Sequence, residues 1–187
     1  NYFGIPAGKT GADGRWLNGP GIEFFRRAYE EFGPLPFIAE DLGLLTPAVR
    51  ALVASCGFPG MDVLEFADND VRQEICPHLD KILYISTHDT STLTGFVGRA
   101  FCSDNDKQGA KYLASEILTR SLRSPARVVM MQLQDCMFLD DDSRMNKPGV
   151  AEGNWGWQAD EAQLSASCSK MATLLVESGR FHDASEQ

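Results

Sequence analysis

Ile22, Phe25, Tyr29 and Phe32 step by 3, 4 and 3 residues, which puts four apolar side chains on one face of a helix. Gly33 follows as a stop, and Pro34 and Pro36 prevent continuation. The short apolar run Phe37-Ile38-Ala39 reads as a strand that ends in Glu40-Asp41. Thr46 is placed to cap a second helix with Pro47 at its first position; Val49, Leu52, Val53 and Cys56 form its apolar stripe, and Gly57 ends it. Further strands are predicted at Val63-Leu64-Glu65-Phe66, at Ile82-Leu83-Tyr84-Ile85 and at Val128-Val129-Met130-Met131. A helix around residues 108–122 carries Leu113, Ile117, Leu118 and Leu122 inward, and a last helix near 160–178 carries Leu164, Cys168, Met171 and Leu175, with Gly179 as its stop. Residues 67–81 carry no helical period.

The strand cores are apolar without alternation, which suits parallel strands covered on both faces. Strands separated by helices make βαβ units, so the fold class is α/β with a parallel sheet. A closed (β/α)8 barrel takes about 250 residues, and the chain has 187. Four units leave two raw sheet edges. The chain is therefore half a barrel, a small open sheet, or a fold that pairs with a second copy. No linker, low-complexity tract or second domain interrupts it, so residues 1–187 are expected to form one partial domain. The start at Asn1, without an initiator Met and directly inside a motif-like stretch, is expected to be a mid-protein cut.

Composition narrows the chemistry. Seventeen Lys+Arg against 26 Asp+Glu give a net charge of −9. An acidic chain is a poor match for nucleic acid or for anionic membranes, both of which need clustered Lys and Arg. No apolar run approaches a membrane span or a signal-peptide core. Neutral substrates fit best. The five cysteines are odd in number and form no CxxC pair, which argues against a disulfide framework or a zinc site and for a reducing, cytoplasmic or plastid-like compartment. Cys56 and Cys168 are expected to pack as small apolar residues. His78, His88 and His182 have spacings that fit no metal-ligand set.

Polar residues concentrate where strands end: Glu40 and Asp41, His88 and Asp89, then Gln132, Gln134 and Asp135. Ligands of parallel α/β sheets bind at strand carboxyl ends. Two carboxylates from different strands suit acid/base work on an uncharged substrate, as in glycoside chemistry, where one acid protonates the leaving oxygen. Capping or salt bridging is the structural alternative.

The ordered segments Ile5-Pro6-Ala7-Gly8, Gly14-Arg15-Trp16, Ile38-Ala39-Glu40-Asp41-Leu42-Gly43, Gly57-Phe58-Pro59-Gly60-Met61, Thr87-His88-Asp89-Thr90, Leu133-Gln134-Asp135, and Arg144-Met145-Asn146-Lys147-Pro148-Gly149 with Gly153-Asn154-Trp155 together resemble the 4-α-glucanotransferases (amylomaltase, or disproportionating enzyme) over nearly the whole chain. The resemblance implies a (β/α)8 TIM barrel, with this chain as its C-terminal half, strands five to eight. It implies transfer of α-1,4-glucan segments between maltooligosaccharides through a covalent glycosyl-enzyme, with no organic cofactor or metal. Glu40 resembles the family's general acid/base, and Asp89 its third carboxylate, which holds sugar hydroxyls and steadies the transition state. His88 and Asn154 resemble sugar-contacting residues. Phe66 is expected on the acceptor side, with core packing as the alternative. Asp41 and Asp135 are expected to be structural, Asp41 by fixing the loop after Glu40. Trp16, Trp155 and Trp157 are candidates for stacking on pyranose faces, with loop packing as the alternative. The run Asp140-Asp141-Asp142 reads as a solvated loop. The family's nucleophilic Asp belongs to a segment before the one matched by Asn1–Gly8, so it is expected outside this chain, and the isolated chain is expected to be inactive. Its partner would then be the remainder of the barrel or a second copy. The segment Glu65-Phe66-Ala67-Asp68 lacks a second aromatic that the family carries after the alanine. The rival readings are an α-amylase-type hydrolase and a non-catalytic glucan-binding or partner-binding fragment.

Overall fold

The computed structural model describes residues 1–43 and 45–181; His182 lies outside the described residues. Contacts divide the chain into two compact units, Asn1–Met61 and the residues from Asp62 onward.

In the first unit, β1 (Tyr2–Gly4) pairs antiparallel with β2 (Arg15–Leu17), Phe3 opposite Trp16. Those two rings meet edge to face at 5.4 Å. The α1 helix (Ile22–Phe32) forms where the 3-4-3 spacing predicts it, and Gly33 takes the stop at φ 73°. Its polar face is tied by Glu23 and Glu30 to Arg26 and Arg27. Its apolar face departs from expectation. Phe25 is half-buried, but Ile22, Tyr29 and Phe32 are 47%, 60% and 71% exposed, because no layer among the described residues covers them.

The α2 helix (Pro47–Cys56) follows its sequence signals closely: the Thr46 hydroxyl accepts from the Val49 N–H, and Gly57 closes the helix in the left-handed conformation. Val49, Leu52, Val53 and Cys56 are half-buried. The expected strand Phe37-Ile38-Ala39 is not one. Among the described residues its long-range backbone bond runs from the Ala39 N–H to the Pro59 carbonyl at 2.8 Å, beside a local one from the Phe37 N–H to the Leu35 carbonyl at 2.9 Å, and that is not a ladder. Ring contacts of Phe37 with Phe25 and Phe58 hold it instead.

The second sheet has the order β3 (Gly60–Val63), β4 (Lys81–Tyr84), β5 (Val129–Met130). β4 and β5 are parallel, Leu83 opposite Val129 and Tyr84 opposite Met130. The strand expected at 63–66 is displaced toward the N-terminus, and Leu64–Phe66 curls into a 3-10 turn. That turn delivers Glu65 to the N–H of Ser91 at 3.0 Å.

The α3 helix (Leu93–Phe101) was not predicted by spacing. It packs on α4 (Lys107–Arg123), and the two approach closely at Gly98, where an added Cβ would stand 3.4 Å from that of Ala110. The short α5 (Leu133–Cys136) and the long α6 (Glu161–Glu177) complete the order. Leu83, Ile85, Leu93, Val97, Ala114, Ile117, Leu118 and Leu122 form the core. On α6 Ser167 and Met171 are buried and Leu174 and Leu175 pack against the core, whereas Leu164 and Cys168 are exposed, so Cys168 is not the packing residue expected.

Just past α6, Arg180 reaches back to the end of α4. Its guanidinium donates to the carbonyls of Leu122, Ser124 and Ala126 at 2.5, 3.0 and 2.7 Å. The carbonyls belong to the last turn of α4 and the residues just past it, where the helix itself supplies no N–H donors and a charged donor is well placed. Arg180→Met is expected to cost about 2 kcal/mol, read as a lowered urea midpoint with an unchanged slope.

Candidate functional site

Ile85 extends β4 by donating to the Met130 carbonyl at 2.8 Å, and the chain then leaves the sheet through Ser86 into the turn Thr87–Thr90. The Thr90 hydroxyl accepts from the Thr87 N–H at 2.8 Å and fastens that turn. His88 and Asp89 stand at its exposed tip, His88 Nε2 lying 3.4 Å from Asp89 Oδ2.

A second loop, residues 144–155, closes on this tip. Arg144 Nη2 donates to the Asp89 carbonyl at 2.9 Å, and the Asn146 N–H donates to the His88 carbonyl at 3.1 Å. Asn146 Nδ2 donates to Asp89 Oδ1 at 2.5 Å. The Trp155 ring lies 5.4 Å from that of His88. Asn154 braces the loop from within: its Oδ1 accepts from the Lys147 N–H at 3.0 Å and its Nδ2 donates to the Val150 carbonyl at 2.8 Å.

Behind the tip sits a buried polar frame. Asp135 is 0% exposed. Its carboxylate accepts from the Ser86 hydroxyl at 2.5 Å, the Leu93 N–H at 2.8 Å and the Gln132 N–H at 3.2 Å. Burial pushes its pKa above the usual carboxylate range, and the three donors act the other way. Burial and the neighbouring Asp135 also push the Cys136 thiol up to about 11. Gln132 Nε2 donates to Ser86 Oγ and to the Thr87 carbonyl, both at 2.7 Å. Asp135 and Gln132 therefore join the ends of β4 and β5 to the first turn of α3.

The α3 N-terminus has a second carboxylate. Asp141 accepts from the Thr92 N–H at 3.0 Å and pairs with Arg99, which also reaches Glu65 at 3.1 Å and Ser91 Oγ at 2.6 Å. The Asp140–Asp142 run is therefore not only a solvated loop. The Glu65–Arg99–Asp141 group carries no signal in the sequence, since its members are 34 and 42 positions apart.

His88, Asp89 and Asn154 thus share one loop pair in the second unit. Phe66, in the same unit, is 58% exposed, so it is not packed in a core among the described residues. Glu40 belongs to the first unit, exposed in the coil that follows Ala39. Asp41 beside it accepts from the Met61 N–H at 2.7 Å, which ties the Glu40 loop to the segment after α2. His78 bonds Asp62 through its N–H at 2.7 Å and its ring Nδ1 at 2.9 Å. Among the described residues no three His, Cys, Asp or Glu side chains are grouped to hold a metal ion, and no helix is long and apolar enough to cross a membrane.

Parallel strands whose carboxyl ends carry an exposed His-Asp pair, framed by buried polar side chains, define an α/β scaffold of the class that takes ligands at strand ends. A family profile described as 4-alpha-glucanotransferase matches residues 1–163, and the chain belongs to that family, one of TIM-barrel proteins. It is 36% identical over 178 residues to the 4-alpha-glucanotransferase of Streptococcus pneumoniae serotype 4, covering 88% of this chain and 35% of the relative. It is 34% identical over 197 residues to the chloroplastic/amyloplastic enzyme of Solanum tuberosum, covering 96% and 34%. Among solved structures, amylomaltase from Streptococcus agalactiae in complex with acarbose superimposes with a TM-score of 0.74 at 25% identity, covering 93% of this chain and 38% of that one. The chain spans about a third of the length of the curated relatives it matches.

Proposed function

We propose that these residues supply the acid/base and the sugar-holding end of a 4-α-glucanotransferase site, on strands five to eight of a (β/α)8 barrel within one catalytic domain. The observation that carries the reading is the clamped His88–Asp89 tip after β4, in a chain of this family. The substrates are α-1,4-glucans and maltooligosaccharides, and acarbose in the S. agalactiae relative supports that class. The compartment is cytoplasm or plastid.

The reaction is a retaining double displacement. A nucleophilic Asp from outside residues 1–187 attacks the anomeric carbon while protonated Glu40 gives its proton to the departing glycosidic oxygen. Glu40 then takes the proton of an acceptor 4-hydroxyl as that oxygen displaces the carboxylate. Asp89 holds ring hydroxyls and offsets positive charge on the oxocarbenium-like transition state. His88 contributes a ring donor beside it, with Trp155 as the wall behind. Asn154 shapes the loop and has a second amide N–H for a sugar hydroxyl. Phe66 faces the acceptor. The remainder of the barrel is the partner that completes the site.

Maltotriose tests this. In a polypeptide that also carries the nucleophile-bearing strand, it is expected to yield glucose and a ladder of longer oligosaccharides at a constant number of reducing ends. A steady rise in reducing ends would instead identify a hydrolase.

A further inference from the structure

We propose that Asn146 is the positioning residue of Asp89, setting by one amide hydrogen bond which carboxylate oxygen is presented to a ligand. The proposal rests on the reading that Asp89 meets sugar hydroxyls. Asp89 is 47% exposed in its side chain and sits at the tip of a turn. A carboxylate in that position ordinarily samples several staggered rotamers. Here Asn146 Nδ2 engages Oδ1 at 2.5 Å, which leaves Oδ2 on the side of His88 Nε2.

The grip is anchored at both ends. The Asn146 N–H holds the His88 carbonyl, and Arg144 holds the Asp89 carbonyl. The backbone of the loop is therefore held against the turn, which keeps the amide within reach of the carboxylate. Trp155, at φ 62°, is a bulky residue in the left-handed region, where such side chains are uncommon. Its N–H donates to the Met145 carbonyl at 2.6 Å, and in this conformation the exposed indole lies against His88. One loop thus fixes both members of the dipeptide. A solvent-facing hydrogen bond adds little to fold stability, yet its net strength biases a rotamer equilibrium by roughly 2- to 10-fold. That is the scale of a preorganising contact rather than of a structural one.

The test uses the 187-residue chain as wild type, Asn146→Ala, Asn146→Asp, Asn146→Ser and Asp89→Asn. Three quantities are read: the melting midpoint and the Asp89 side-chain rotamer populations from NMR couplings in that chain, and the Kd for acarbose in the polypeptide that also carries the nucleophile-bearing strand. One dominant rotamer is expected in the wild type and averaging in the Ala and Asp forms, with melting midpoints nearly unchanged. Acarbose binding is expected to weaken about 5- to 10-fold in Asn146→Ala and further in Asn146→Asp, which keeps the shape but sets two carboxylates face to face. Asn146→Ser, which retains a short donor, is expected to recover part of the loss. A single Asp89 rotamer persisting in both the Ala and Asp forms overturns the proposal. Should Asp89→Asn bind acarbose as tightly as the wild type, or the wild type not bind it, the sugar-holding reading of Asp89 fails, and the rotamer populations still decide whether Asn146 positions the carboxylate.

Discussion

Glu40→Gln is expected to lower glucan transfer by about 10²- to 10⁴-fold, the usual contribution of a positioned general acid/base. Glutamine keeps the size and hydrogen-bonding reach of the side chain but can neither deliver a proton to the leaving glycosidic oxygen nor accept one from the 4-hydroxyl. The loss should fall on kcat, since ground-state sugar contacts survive. The comparison is made in a polypeptide that carries the nucleophile. There a leaving group that needs no protonation, such as a glycosyl fluoride, should restore the first half-reaction but not transfer to a poor acceptor. Retention of full activity by Glu40→Gln would remove the assignment. The 187-residue chain by itself is expected to give no ladder from maltotriose, because Glu40 alone forms no glycosyl intermediate. Turnover by that chain would require another carboxylate as nucleophile.

The second large effect is on stability. Asp135→Asn keeps the shape at the centre of the buried frame but replaces one acceptor oxygen with an N–H group. Three donors converge on the carboxylate, two of them on Oδ2. The amide must leave at least one buried donor unmatched, at about 2–3 kcal/mol. The pH dependence has a definite sign. The folded-state pKa of Asp135 lies above its ordinary value, so folding favours the protonated form. Its contribution is fully present below the unfolded pKa near 4 and is lost as pH rises through the folded pKa. Asparagine does not titrate. The gap between wild type and Asp135→Asn should therefore be wider at pH 4.5 than at pH 8 in paired urea titrations. A gap that widens with pH would contradict the stated burial effect.

The helices α1, α2, α4 and α6 were legible because long periodic segments with caps specify themselves: Thr46 and Gly57 bound α2 as their chemistry requires. The α3 helix was not, since its inward face includes Thr94 and it carries Gly95 and Gly98, both poor helix signals. The frame of Asp135 and Asp141 at its first turn supplies what local propensity lacks. Short apolar runs misled in the opposite way. Phe37-Ile38-Ala39 has a strand's composition, but strand pairing depends on a neighbour that composition does not name. Val63–Phe66 slipped because only Val63 and Leu64 of that run are buried.

At the site, the motif residues His88 and Asp89 stood out, and Asp41 holds its loop as expected. The second layer stayed hidden. Asn146 lay inside a recognised block, yet no spacing rule links it to a carboxylate 57 positions earlier.

That separation governs when the site comes into being during folding. Between Asp89 and Asn146 the chain must lay down three helices, a strand and the buried frame before the clamp can close, and the entropy of closing so long a loop is recovered only at the end. The His88–Asp89 tip is therefore a product of the finished unit, and its geometry should vanish as soon as any of those intervening pieces comes loose.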